Sequence, residues 1–321
     1  MLKGFKGKFS QNKPANEAIE TLKLMEALAY ELSHRTYQVE VMLYHRDPAV
    51  RRQAIITLSE MGVDRNTASM RFQTLTRMLN DRDPDVVANV YGALRHMGPY
   101  AKTAKAKGIE ACQDRERDPR IRRAAIFFLE GLLPEEKDLI PVFITALDDP
   151  DLGPHPKQPG LRSVSELAMF ALQISKTEGK DAKDKLIQIV KYKKWDDYYQ
   201  GRTLSTLLAV APTDPATVDI FREWLRQKDD PDRIAHASSF LAQLGPRAAP
   251  AIPDLIAILK RKPYPDQAVE HRVKKAVLAF FTAMGPVAKE ALPVLRSLTT
   301  TNDFPIRLYA VEAIISVERE K

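Results

Sequence analysis

The side chains of this 321-residue chain best suited to metal or nucleophilic chemistry are six histidines and one cysteine. The histidines are His34, His45, His96, His155, His236 and His271. None forms an HExxH pair, and no two stand four residues apart, so a helix-borne zinc site lacks its ligands. Cys112 stands alone, which excludes a disulfide framework and a cysteine-rich zinc site. It reads as a small packing residue of a helix end. No GxxxxGK[ST], GxGxxG or GxSxG occurs, so phosphate loops and nucleophile elbows have no support. The expectation is no catalytic set, no metal and no cofactor.

The other residues with chemical potential are basic and aromatic. The stretch 191–199 reads KYKKWDDYY and gathers Lys191, Lys193, Lys194, Trp195, Tyr198 and Tyr199. Such a cluster can stack bases and grip phosphates. The same residues also read as a helix end, a turn and the next helix start, with cations at the C-terminal end and aspartates at the N-terminal one. The net charge is +7, from 49 Lys and Arg against 42 Asp and Glu. It is spread so that no repeat-sized segment exceeds +3, whereas a phosphate track wants clustered cations. No apolar run approaches the roughly 18 residues of a membrane span, and the N-terminus has no apolar signal core. These features give the expectation of a cytoplasmic chain without membrane insertion.

The elements that must position these residues are repeated. DPAVRRQAIITLSEMG (47–62) returns as DPDVVANVYGALRHMG (83–98), DPRIRRAAIFFLEGLL (118–133) and DPDRIAHASSFLAQLG (230–245). Further copies are HRVKKAVLAFFTAMG (271–285) and DFPIRLYAVEAIISV (303–317), with weaker ones after Asp151 and Asp197. The openings near 47, 83, 118, 151, 197, 230, 266 and 303 are spaced 36, 35, 33, 46, 33, 36 and 37 residues apart. Asp is a favoured N-cap and Pro a favoured first-turn residue. From the apolar anchor, +4, +8 and +11 share a helix face: Val50, Ala54, Leu58 and Met61 in the first copy. Gly62, Gly98, Gly245 and Gly285 are placed to stop the helix. A second apolar helix fills each interval, and no stretch alternates with period two. One helix pair cannot bury its own stripe, so the pairs must stack.

The DPxVRxxA…LG signature resembles that of HEAT repeats, of the short bacterial kind seen in phycobilisome-lyase-like proteins. The linkers GPRAAPAIPDLIAIL (245–259) and GPVAKEALPVLRSL (285–298) carry the same likeness, and GPYAKTAKA (98–106) is a partial copy. The resemblance implies an all-α, right-handed α-solenoid of about eight helix pairs over residues 47–321. Residues 1–46 would supply a basic tail, a capping helix (14–32) and the first helix of repeat one. It also implies structural roles for Asp47 with Arg51, Asp118 with Arg122, and Asp303 with Arg307. The Pro-rich loop 148–160 interrupts the fourth repeat and is stiff enough to lower the entropic cost of binding.

In such stacks the second helix of each pair lines the concave side. Its outward positions are expected at +2, +5, +6 and +9. These give Arg52, Ile55, Ile56 and Ser59; Ala88, Tyr91, Gly92 and Arg95; Arg123, Ile126, Phe127 and Glu130; and Ser163, Glu166, Leu167 and Phe170. The expected partner face comprises Arg52, Ile56, Tyr91, Arg95, Arg123, Phe127, Phe170 and Lys275. Mixed apolar and cationic side chains suit a protein partner. The expected function is a non-enzymatic scaffold or adaptor. A rival is a nucleic-acid binder similar to alkylpurine glycosylases, using Lys191 to Tyr199 and the arginine ladder. A further rival, carried by the resemblance alone, is a tetrapyrrole-lyase-like or chaperone partner.

Overall fold

A computed structural model describes residues 14–27, 36–61, 68–133, 135–151, 162–192, 197–226, 230–319 of the chain. They are overwhelmingly helical, with no strand among the described residues. The fold class is all-α, a solenoid of stacked helix pairs. The chain divides into two compact units, Met1–Ser175 and Lys176–Lys321.

In the first unit the second helices of successive pairs are Pro48–Glu60, Pro84–His96, Pro119–Glu130 and Val164–Ser175. Each packs on the next. The helix Ala15–Ala27 lies against the first of them through Ala18, Leu22 and Met25, which are buried. In the second unit the second helices are Asp197–Val210, Pro231–Leu244, Gln267–Met284 and Phe304–Glu318. Its core is built on Phe221, Trp224, Phe280 and Phe281. Gln267–Leu298 contains a window long and apolar enough to cross a membrane, half of it buried. Gly285 turns the chain within it (φ 57°), and its apolar residues serve this core.

The aspartates cap as their positions require. Asp47 accepts from the Ala49 amide (2.8 Å), Asp83 from Asp85 and Val86 (3.0 Å each) and Asp118 from Arg120 (2.8 Å). Asp230, Asp266 and Asp303 do the same for their helices. Asp151 caps at a distance: its Oδ2 accepts from the Val164 amide at 3.0 Å, thirteen residues on. Ser163 and Glu166 close a capping box beside it, at 3.1 and 3.0 Å. Asp151 stands thirteen residues before Val164, where Asp47, Asp83 and Asp118 stand three before Val50, Val86 and Ile121, so ten residues are inserted. Without them the spacing of 46 falls to 36. Most of the Pro-rich loop, and Gly62, lie outside the described residues.

The insertion corrects the register of the fourth copy. Its anchor is Val164, not Leu161, because Val164, Ala168, Leu172 and Ser175 are the buried 0, +4, +8 and +11 positions. A second correction concerns +5. Ile55, Tyr91, Ile126 and Leu278 are buried there. A second helix is covered by its own partner and by both neighbouring pairs, so its buried arc reaches +5 and +7. A third concerns the arginine after the anchor. Arg51 pairs with Asp81 at 2.7 Å and Arg122 with Asp149 at 2.9 Å, not with the caps Asp47 and Asp118. Arg307 donates to the Thr301 carbonyl at 2.8 Å. These arginines tie the chain just before a second helix to that helix or to the one before it.

The linkers form one series: Gly98–Ala104, Lys176–Ala182, Gly245–Ala251 and Gly285–Ala291 are short 3-10 segments. Each opens at positive φ: 54°, 50°, 56° and 57°. Three copies place Gly there and one places Lys176, whose Cβ disfavours that conformation by about 1–3 kcal/mol. Gly also loses more entropy on folding, which offsets part of the relief. Lys176→Gly is expected to stabilise the protein by about 1 kcal/mol, read as a higher urea midpoint at unchanged slope. A lower midpoint would show that Lys176 earns its conformation through other contacts.

Candidate functional site

With the corrected register, the outward row of the first unit is the +6 position. It reads Ile56, Gly92, Phe127 and Phe170 on four consecutive packed helices. Phe127 is 42% exposed; Ile56, Gly92 and Phe170 are half-buried. With helices about 8–10 Å apart, the row extends about 30 Å. In the second unit the same position holds Ser205, Ser239, Ala279 and Glu312. The apolar row is a property of the first unit.

Arginines flank both aromatic rings. The Arg95 guanidinium lies 4.0 Å from the Phe127 centroid, and that of Arg162 lies 4.8 Å from Phe170. Arg95 also pairs with Glu130 and donates to the Phe127 carbonyl. The remaining ladder is bound to carboxylates of the next pair. Arg52 faces Asp85 (3.6 Å), Asp85 also holds Arg120 (2.8 Å), and Arg123 grips Asp151 (2.8 Å). Asp118 bonds the Arg120 side chain, which with the Arg120 amide holds its pKa below the ordinary aspartate value. The ladder is a set of inter-repeat ion pairs with local charge neutrality, not a free cationic track.

The structure brings Arg52, Ile56, Arg95, Arg123, Phe127 and Phe170 onto the second helices of one unit. It separates Tyr91 and Lys275 from them. Tyr91 is 1% exposed, donates to the Lys107 carbonyl (3.0 Å) and packs on Phe128. Burial pushes its hydroxyl up to about 12. It is a core residue because +5 turns inward. Lys275, in the second unit, extends over the Tyr309 ring at 5.4 Å. Sequence reasoning does not reach Arg162, Asp85 and Arg120 as members of the site, because Arg162 meets Phe170 only in the corrected register and Asp85 bridges Arg52 and Arg120 between repeats.

The basic–aromatic cluster is only partly described. Lys191 pairs with Glu223 at 3.1 Å. Tyr192 and Tyr198 are exposed, and Tyr198 meets Tyr199 edge-on at 5.5 Å. Lys193, Lys194 and Trp195 lie outside the described residues. Cys112 is buried and donates to the Ile109 carbonyl; desolvation pushes its thiol up to about 12, far from thiolate chemistry at neutral pH. Among the described residues no three His, Cys, Asp or Glu side chains gather as a metal site.

Residues 38–130 match the family model described as HEAT repeats. No curated protein matches the sequence. Among solved structures the chain is similar to importin beta (TM-score 0.65, 13% identity, covering 98% of this chain and 47% of that one). It is also similar to Kap95p (TM-score 0.64, 13% identity, 99% and 45%). The complex of CpcE and CpcF of phycocyanin lyase from Nostoc sp. PCC7120 gives a TM-score of 0.43 at 19% identity, covering 82% and 94%. The chain spans less than half the length of the karyopherins it matches. Residues 38–130 therefore carry HEAT repeats, and the caps, anchors and first linker they contain recur along the sequence to residue 317.

Proposed function

We propose that this chain is a cytoplasmic, non-enzymatic scaffold or adaptor that holds a protein partner on the second-helix face of its first unit. The observation that carries this reading is the row Ile56, Gly92, Phe127, Phe170, with arginines laid over its two rings. Aromatic and arginine side chains set among satisfied polar groups are the usual anchors of protein interfaces. The pairing of Arg52, Arg95, Arg120 and Arg123 with acids favours protein over nucleic acid, because paired cations release few counterions on meeting phosphate. Two of the similar structures are of complexes, Kap121p bound to Pho4p and Kap95p with RanGDP. A face of this kind on the same fold suits that use.

The test is capture from the native cell extract by the immobilised full chain, with Phe127→Ala/Phe170→Ala beside it. Loss of two central aromatics is expected to lower capture at least about tenfold, while the melting temperature of the double variant stays close to the parent. In parallel, a DNA duplex and a single-stranded RNA at low salt are expected to show no retention. Equal capture by the double variant sinks the protein reading. Nucleic-acid retention that weakens steeply with salt replaces it with the rival one.

A further inference from the structure

Each first helix ends in a turn that leads to the next cap. In the first unit these turns are acidic: residues 78–83, 113–118 and 146–151 sum to −1, −1 and −3. Asp81 and Asp149, two residues before their caps, hold Arg51 and Arg122. The turn 260–266 of the second unit, KRKPYPD, sums to +2, and no other such turn exceeds zero. It places Tyr264 where those aspartates stand. Lys274, the residue after the anchor there, pairs with Glu270 of its own helix instead (2.9 Å). Lys260 and Lys262 are exposed and have no acidic partner among the described residues.

Beside this turn a groove of about 310 Å³ opens between the helices Pro215–Arg226 and Ile252–Lys260. Leu225, Ile234, Ala257 and Ile258 form its apolar part, and Arg226, Asp254 and Arg261 complete it. Ala257 is exposed and Ile258 half-buried, so apolar surface stays open. Asp254 is shared by two guanidiniums, Arg222 Nε to Oδ2 at 2.7 Å and Arg226 Nε to Oδ1 at 2.8 Å. The Arg226 side chain is 56% exposed all the same. Arg261 lies 3.8 Å over the Tyr264 ring and donates to its hydroxyl at 2.6 Å, which fixes it at the groove. Five cations, Arg222, Arg226, Lys260, Arg261 and Lys262, thus stand against two acids, Asp219 and Asp254. The acids at the start of the next helix are occupied: Asp230 caps it and Asp232 pairs with Arg272 at 2.6 Å. A cation in the last turn of a helix offsets its dipole, but Lys260 alone meets that need.

We propose that this groove binds an acidic linear segment of a protein partner. One apolar side chain of the segment rests on Ala257 and Ile258, and carboxylates on either side of it meet Arg226 and the cations of residues 260–262. The surplus of cations selects an acidic ligand. The apolar floor selects peptide over a phosphate backbone, which has no apolar group to lay on it. The Tyr264 ring, already covered on one face by Arg261, is a poor platform for a base. The site belongs to the second unit and does not rest on the aromatic row of the first. A groove this small engages only a few partner residues, so the contact is weak and sensitive to salt.

The test is fluorescence anisotropy on the full chain with a fluorescein-labelled heptapeptide, one leucine flanked on each side by three glutamates. At low salt the Kd is expected at about 10–100 µM. Ala257→Glu, and separately Lys260→Glu/Lys262→Glu, should each weaken binding at least about tenfold with an unchanged thermal melt, since all three positions are exposed. Arg247→Glu/Lys289→Glu makes the same charge change on exposed linker residues and should stay within about twofold of the parent. The peptide with serine in place of leucine should bind at least about fivefold more weakly. Phe127→Ala/Phe170→Ala should bind the peptide as the parent does, so failure of the first-unit reading leaves this one standing. A parent that does not bind, groove variants that bind equally, a linker variant or a Phe127→Ala/Phe170→Ala protein that loses binding as they do, an equally good serine peptide, or tighter binding of a single-stranded oligothymidylate each overturns the proposal.

Discussion

Asp149→Ala is expected to lower the unfolding free energy by about 3–5 kcal/mol, the cost of stripping one partner from a buried ion pair. The Asp149 side chain is 0% exposed and that of Arg122 is 3% exposed. The guanidinium reaches both carboxylate oxygens, Nε to Oδ2 at 3.0 Å and Nη2 to Oδ1 at 2.9 Å. Arg115 pairs with the same carboxylate, and the Asp151 amide donates to Oδ1 at 2.9 Å. Alanine would leave one arginine buried without a counter-charge and would release the residue that caps Val164–Ser175. The exposed counterpart Asp85, 37% exposed, should cost no more than about 1 kcal/mol on the same substitution. Urea denaturation measures both, as a shift in midpoint at constant slope.

The same carboxylate sets an acid limit. Burial pulls its pKa upward, but the bonds from Arg122 and the Asp151 amide, with the charges of Arg122 and Arg115, outweigh it and hold the group below the ordinary aspartate value. A depressed folded pKa means that the stabilisation is fully present above the unfolded value of about 3.9 and is lost as pH falls through the folded one. Stability of the parent should therefore fall below about pH 4, and Asp149→Asn should fall less steeply. Parallel slopes for the two proteins would remove Asp149 from the account.

What was legible in the sequence follows from what each residue touches. Caps and linkers act within a few residues, so the aspartates and Gly98, Gly245 and Gly285 could be placed from local pattern alone. The 0, +4, +8, +11 stripe was legible because it faces the helix's own partner, although Ile314 at +8 of the last copy is only half-buried. Contacts between repeats were not legible. Nothing local tells Arg122 to choose Asp149, twenty-seven residues on, over the cap four residues before it. Tyr91 was assigned outward for the same reason, since only the next pair buries +5. The fourth copy was misread by one turn because its cap lies across an insertion. Lys176 is not legible by residue type, because the repeat marks this positive-φ position with glycine in the other three linkers.

Gly92 provides the sharper test of the partner face, because stability and binding should move in opposite directions. A glycine inside a helix costs about 0.8–1.0 kcal/mol relative to alanine. Two usual reasons for accepting that cost are absent here. Gly92 does not have positive φ, and a Cβ built on it meets no heavy atom within 4 Å. Gly108 shows the contrast, since a Cβ there would come within 2.9 Å of Leu129 Cδ2. Gly92 sits in the +6 row between Ile56 and Phe127, where its missing side chain leaves a notch open to space. A partner side chain seated in that notch would account for the glycine. Gly92→Ala is then expected to raise stability by about 0.5–1 kcal/mol. Gly92→Leu fills the notch and is expected to lower partner capture at least about tenfold while leaving the helix intact. A Gly92→Leu protein that captures its partner as the parent does would show that the notch is empty in the complex, and would move the binding surface off this row.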